Sequence, residues 1–122
     1  MTKKELRAAM KKRNLSLSSE ERDAASERIF GRVERLPGFS AARCAAFFCA
    51  LPDEPQTGAA LARWSAAKRI VVPRVEGDAM RFYDYAPGEL CRGAFGIAEP
   101  SVAERPCDPA DIDFIVVPGV AF

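Results

Sequence analysis

The sequence predicts an α/β fold, and three observations carry that prediction. Apolar runs of strand length stand at Arg43–Leu51 (RCAAFFCAL), Arg69–Val75 (RIVVPRV) and Asp113–Phe122 (DFIVVPGVAF). Each run is unbroken rather than alternating, which is the pattern of a strand covered on both faces, as in a parallel sheet. A helical pattern lies between the first two runs and makes a βαβ unit, whose crossover is almost always right-handed. With 48% hydrophobic and 29% charged residues over 122 positions, the composition is that of an ordinary globular chain. The length predicts a single domain over residues 1–122 with one core.

The elements follow in order. Lys3 to Arg13 contains strong helix formers throughout, and Lys3, Arg7 and Lys11 share one face at four-residue spacing. This basic helix reads either as a solvated surface or as a local phosphate clamp. A second helix starts at Ser18, where Glu21 three residues on completes a capping box. Ala25, Ile29, Val33 and Leu36 form its apolar stripe, and Pro37-Gly38 end it. After the first strand, PDEPQTG is a loop by its prolines, and Thr57 stands where it can cap a helix, GAALARWSAAK. Ala60, Leu61, Trp64 and Ala67 are the packed stripe of that helix.

Beyond the second strand, EGD turns the chain into AMRFYDY, with Met80, Phe82 and Asp84 on one side and Arg81, Tyr83 and Tyr85 on the other. That alternation predicts an antiparallel edge hairpin. The stretch from Pro87 to Ile112 has too many glycines and prolines to predict regular structure. Four strands and three helices are expected in all.

Several function classes are excluded. A net charge of +1 gives no broad field for nucleic acid or an anionic membrane. The absence of histidine removes Ser-His-Asp and Cys-His nucleophile arrangements. The four cysteines form no C-x-x-C pair, which argues against zinc, and Cys44 and Cys49 read as small core residues of a reducing cytoplasm. The N-terminus lacks the apolar stretch of a signal peptide, and no run reaches the roughly 18 apolar residues of a membrane span.

The residues able to carry chemistry cluster at predicted strand ends. Pro73 removes a ladder donor within an apolar strand, and Arg74 stands at the carboxyl end, where ligands bind in α/β sheets. The same pair also reads as an edge-strand proline beside a surface arginine. DEPQT follows the carboxyl end of the first strand, again the ligand side. GAFGIAEP is a glycine-bounded loop whose Phe95 either stacks on a flat ring or packs inward.

Six stretches in this order resemble the 5-formyltetrahydrofolate cyclo-ligase family, also called methenyltetrahydrofolate synthetase. They are KKELR (Lys3–Arg7), RNLSLSSEE (Arg13–Glu21), LPDEPQT (Leu51–Thr57), KRIVVPRV (Lys68–Val75), FGIAEP (Phe95–Pro100) and IDFIVVPGVAF (Ile112–Phe122). The resemblance implies a three-layer α/β/α sandwich with a mainly parallel sheet, of the NagB/RpiA/CoA-transferase-like kind and incomplete at the C-terminus. It implies ATP binding by Lys3, Lys4, Glu5, Leu6 and Arg7, with Arg7 the most specific, and so favours the phosphate-clamp reading of the basic helix. It implies folate binding by Leu51, Glu54, Gln56, Arg74 and Phe95, with ATP and Mg2+ as cofactors and no nucleic-acid or membrane partner. The implied reaction is ATP-dependent closure of 5-formyltetrahydrofolate to 5,10-methenyltetrahydrofolate, which positioned phosphates and neutralised charge can drive without histidine.

Two departures from the family pattern set further expectations. Many members carry a carboxylate at the position of Gln56, and an amide still hydrogen-bonds but cannot offset a developing positive charge. The sequence also ends at Phe122, ahead of the glycine-rich phosphate segment of the family. The expectations from that ending are a chain without turnover, a nucleotide- or folate-binding remnant as the alternative, and self-association through the last strand's edge.

Overall fold

In the computed structural model, residues 2–50, 54–85, 90–92, 98–100 and 106–118 are described, the two short segments 90–92 and 98–100 by backbone alone. Helix α1 (Lys3–Leu15) and helix α2 (Ser19–Glu34) open the chain. Both start on capping boxes: Thr2 with Glu5, and Ser18 with Glu21 as the spacing predicts. Pro37 does not merely stop α2. It initiates a short helix α3 (Pro37–Ala41), because proline at the first helical position gives up a donor that has no partner there.

The buried face of α2 differs from the predicted stripe. Ser26 and Phe30 are buried and Val33 packs on the core, whereas Ile29 and Leu36 are 43% and 47% exposed. The true stripe, 26–30–33, keeps Val33 of the predicted 25–29–33–36 but replaces 25 and 29 by 26 and 30, and the serine at its head leaves no mark in apolar periodicity.

Strand β1 is shorter than its apolar run, Cys44–Ala46, although residues 44–49 are all buried. Helix α4 (Gly58–Ser65) then leads to β2 (Arg69–Glu76), and Ala60, Leu61 and Trp64 are buried as expected while Ala67 is exposed. β2 turns through a two-residue loop into β3 (Ala79–Asp84), and Gly77 there takes φ 62°, the left-handed region that favours glycine. The segment predicted to lack regular structure contains an antiparallel pair, β4 (Leu90–Arg92) with β5 (Ala98–Pro100), and a 3-10 turn at Pro109–Asp111. Three-residue strands are too short to leave a periodic signal among glycines and prolines. β6 is confined to Phe114–Ile115.

The main sheet has the order β3-β2-β1-β6. β1 pairs parallel with both β2 and β6, and β3 pairs antiparallel with β2. The mainly parallel sheet, the βαβ unit and the antiparallel edge strand are therefore as predicted. Asp113 joins the two ends of the chain's core, because its carboxylate accepts from the Arg43 and Cys44 backbone N–H groups at 3.1 Å each.

Helices α2, α3 and α4 cover one face of the sheet. Phe30, Phe39, Phe47 and Trp64 interlock there, with Phe47–Trp64 ring centroids 4.7 Å apart and Phe30 edge-on to Trp64 at 5.7 Å. Glu34 on α2 accepts from Trp64 Nε1 at 2.6 Å and from Arg63 Nε at 2.8 Å, so the indole is buried with its donor satisfied. The opposite face is thinner. Cys44, Ala46, Val71 and Cys107 are buried there beneath residues 106–112, with Phe82 and Ile112 alongside. Burial, reinforced by the adjacent Cys107, pushes the Cys44 thiol up to about 11, so it packs as a neutral core group. Cys49 is likewise a buried free thiol.

Pro73 finds its explanation in this topology rather than at a sheet edge. Ile70 accepts from Tyr85 on the β3 side and Val71 accepts from Phe47 on the β1 side. Pro73 shares the parity of Val71, so its missing donor faces β1, whose regular pairing with β2 ends at Ala46↔Val71.

Candidate functional site

The carboxyl ends of β1 and β2 lie on one side of the sheet, the side where α/β folds bind ligands. After β1, residues 47–50 pack on the core, and residues 54–57 are held by hydrogen bonds. Thr57, predicted as a helix cap, is 2% exposed and makes no cap hydrogen bond. Its Oγ1 accepts from the Ala50 N–H at 3.2 Å and closes the loop on itself. Gln56 donates its backbone N–H to Ser26 Oγ at 2.8 Å, and its side-chain amide donates to the Glu54 carbonyl at 2.8 Å.

Ser26 links this loop to the helices. Its hydroxyl donates to the Arg22 carbonyl at 2.7 Å while accepting from Gln56. Arg22 in turn donates through Nη2 to the carbonyls of Asn14 and Leu17, at 3.1 and 3.2 Å. A chain of hydrogen bonds thus runs from the end of α1 through α2 to Gln56 and Glu54. Periodicity gave no sign of it, because a serine inside a helix ordinarily only back-bonds to its own carbonyl four residues earlier.

Helix α1 buries no residue, and Lys3, Lys4, Glu5, Leu6 and Arg7 are all exposed. Glu5 accepts from the Thr2 N–H at 3.2 Å within the capping box, so its carboxylate serves the helix start. Lys3, Lys4 and Arg7 form no ion pair among the described residues.

Arg74 lies near the end of β2, half-buried, on the same face as Ile70 and Val72. Its neighbour on β3 is Arg81, and Tyr83 lies opposite Val72. Tyr83 is 5% exposed and donates its hydroxyl to Glu76, 2.8 Å from each carboxylate oxygen. Burial first, then the Glu76 hydrogen bond, raises its hydroxyl above the ordinary 10.0, which keeps it a donor. Arg81 completes the group, with Nε 3.4 Å from Glu76 Oε1.

Glu54, Gln56 and Arg74 therefore stand at the carboxyl ends of adjacent parallel strands, and α1 is tied in through Arg22. Leu51 and Phe95 lie outside the described residues. Ser26, Arg22, Glu76 and Tyr83 make the hydrogen bonds around these candidate residues, and no motif or periodicity in the sequence points to them. A separate cleft of about 830 Å³ opens on the thin face, lined by Met80, Phe82, Cys107 and Ile112 among others. None of the predicted site residues that are described lines it. Among the described residues no group of three acidic or thiol side chains could hold a metal ion, and no helix is long and apolar enough to cross a membrane.

Comparison with known proteins places the fold. The sequence model of the 5-formyltetrahydrofolate cyclo-ligase family matches residues 1–122. The structure is similar to the NMR structure of Aquifex aeolicus 5,10-methenyltetrahydrofolate synthetase, at a TM-score of 0.87 and 36% identity over 99% of this chain. It is also similar to a 5,10-methenyltetrahydrofolate synthetase from Mycoplasma pneumoniae, at a TM-score of 0.72 and 20% identity over 100% of this chain. The chain spans 62% of the first of these structures and 66% of the second. No curated protein matches it significantly.

Proposed function

The chain belongs to the 5-formyltetrahydrofolate cyclo-ligase family, and from that premise we propose that it serves the ATP-dependent conversion of 5-formyltetrahydrofolate to 5,10-methenyltetrahydrofolate in the cytoplasm. Residues 1–122 act, on this reading, as one domain of cyclo-ligase type. The terminal phosphoryl group of ATP passes to the formyl oxygen, and ADP departs. The neighbouring folate N–H nitrogen then attacks the activated formyl carbon and gives up its proton, and inorganic phosphate leaves as the ring closes.

This chain's residues bind and orient. Lys3, Lys4 and Arg7 meet the phosphates, with the Arg7 guanidinium suited to two parallel hydrogen bonds. Glu5 fixes the helix start through its cap, and Leu6 lies in the same segment. Leu51, Gln56 and Phe95 meet the folate, Glu54 holds the Gln56 amide in place, and Arg74 neutralises substrate charge from β2. Magnesium would arrive held largely by phosphates and water, as is usual for that ion, and would neutralise phosphate charge.

The observation that supports this reading best is the hydrogen-bond chain from α1 through Arg22 and Ser26 to Gln56, within a chain whose whole length matches the family. It connects the C-terminal end of the helix whose first turns are proposed for ATP with the loop proposed for folate. The test is equilibrium binding of 5-formyltetrahydrofolate and of Mg-ATP, with the methenyl absorbance followed when both are present. Saturable binding of each ligand is expected, and Arg7→Ala should weaken ATP binding far more than folate binding. A folded chain that binds neither ligand contradicts the reading.

β6 is the outer strand of the sheet among the described residues, and Ile115 and Val117 are 54% and 71% exposed. Self-association through this edge belongs to the same proposal. Light scattering across a concentration series should show dimers or larger species, and a concentration-independent monomer contradicts it.

A further inference from the structure

We propose that Arg74 and Arg81 form an oxyanion-binding pair on the β2–β3 hairpin, taking a carboxylate or phosphate group of a substrate in place of Glu76, the internal carboxylate that Tyr83 holds beside Arg81. The inference builds on the placement of Arg74 in the proposed substrate site and adds Arg81 to it.

Register supplies the first argument. Arg74 and Arg81 are direct cross-strand partners in an antiparallel pair, so both project from the same face. Like charges directly opposite one another destabilise a hairpin, and a sequence tolerates them only where something offsets the repulsion. One carboxylate does so in part. Glu76 lies 3.4 Å from Arg81 and receives the Tyr83 hydroxyl on both oxygens. Arg81 therefore has one counter-charge, whose lone pairs are already partly occupied, and Arg74 has none within ion-pair distance among the described residues.

The second argument is the position of Arg74. It is half-buried and forms no ion pair among the described residues, and the turn residue Asp78 forms none either. The other charged pair of these strands, Arg69 with Asp84 at 2.6 Å, is neutral in itself and lies on the opposite face. The uncompensated charge thus lies near the carboxyl end of β2, and Arg81 also borders the thin-face cleft. A planar guanidinium beside a second one suits an oxyanion with two or more oxygens. The group bound is either a phosphate of the nucleotide or a carboxylate of the folate's glutamate end.

Inorganic phosphate and glutarate, titrated separately at constant ionic strength by calorimetry, separate the two sources. Saturable binding of at least one is expected. Arg74→Gln and Arg81→Gln should each weaken it about tenfold, the scale of one charge-assisted hydrogen bond, while Arg28→Gln on exposed α2 leaves it unchanged. Glu76→Gln should tighten binding, because it removes the competing carboxylate. Preference for phosphate assigns the pair to the nucleotide, and preference for glutarate assigns it to the folate, and both outcomes support the pair. Binding that responds to Arg74→Gln and Arg81→Gln no more than to Arg28→Gln overturns it. So does a folded Glu76→Gln variant that binds as weakly as the arginine variants. Neither probe is a folate or a nucleotide, so failure of the cyclo-ligase reading would not mimic failure here.

Discussion

The two faces of the sheet are built to different standards. On the helix-covered face three phenylalanine side chains interlock around Trp64, whose indole donor is taken up by Glu34. On the other face small residues, Cys44, Ala46, Val71 and Cys107, lie under a short irregular segment beside an 830 Å³ cleft. Stability concentrates on the first face, and the proposed site grows from that same face at the carboxyl ends of β1 and β2. A loop whose hydrogen bonds end on a well-packed helix is held in place without needing a core of its own.

The sharpest way to break this comparison is to truncate an aromatic on each face. Phe47→Ala removes a ring that is 1% exposed, and large-to-small changes at such sites cost about 3–5 kcal/mol. Phe82→Ala, on the half-buried thin face, should cost about 1 kcal/mol. Chemical denaturation of both variants checks this, and equal losses would mean that the two faces carry the fold alike.

Ser26→Ala comes next. It strands the Gln56 N–H against a methyl group and should cost about 1–2 kcal/mol. It should also weaken binding of 5-formyltetrahydrofolate more than a stability loss alone explains, which isothermal titration on the folded variant would show. Retention of full affinity would separate the loop from the helix.

Glu34 adds a smaller, pH-dependent contribution. Hydrogen bonds from Arg63 and then Trp64 hold its carboxyl below the ordinary 4.5. A depressed folded-state value stabilises above the unfolded one and loses that stabilisation as the pH falls through the folded value. Stability should therefore decline below about pH 4.5, and Glu34→Gln should flatten part of that decline while costing about 1 kcal/mol at neutral pH, a modest figure because the side chain is 36% exposed. Thermal unfolding at stepped pH measures both. The smallest effect is expected at the exposed apolar positions of the thin face, where Met80→Ser should stay within about 0.5 kcal/mol.

What the sequence made legible follows from what leaves a periodic trace. The βαβ unit, the antiparallel edge hairpin, the Ser18–Glu21 capping box and the packed Ala60, Leu61 and Trp64 were all readable, because each is set by spacing between neighbours in the chain. The buried stripe of α2 was displaced because Ser26 is buried for a bond to Gln56, thirty positions away. Thr57 was taken for a cap because that is the common local use of threonine, whereas its hydroxyl closes the loop onto Ala50. The proposed site rests on motif resemblance at Lys3–Arg7, Glu54, Gln56 and Arg74. Its supports, Arg22, Ser26, Glu76 and Tyr83, act through contacts that no spacing rule encodes.

The most direct measurement is an amide NMR titration of the chain with 5-formyltetrahydrofolate. Ligand at the carboxyl ends of β1 and β2 should shift the amides of Glu54, Gln56, Thr57 and Arg74, and through the serine link that of Ser26, while Cys107, Asp108 and Ile112 beside the thin-face cleft stay in place. Saturable shifts centred on Cys107 to Ile112, with Gln56 and Arg74 unmoved, would contradict the account and move the site to the opposite face.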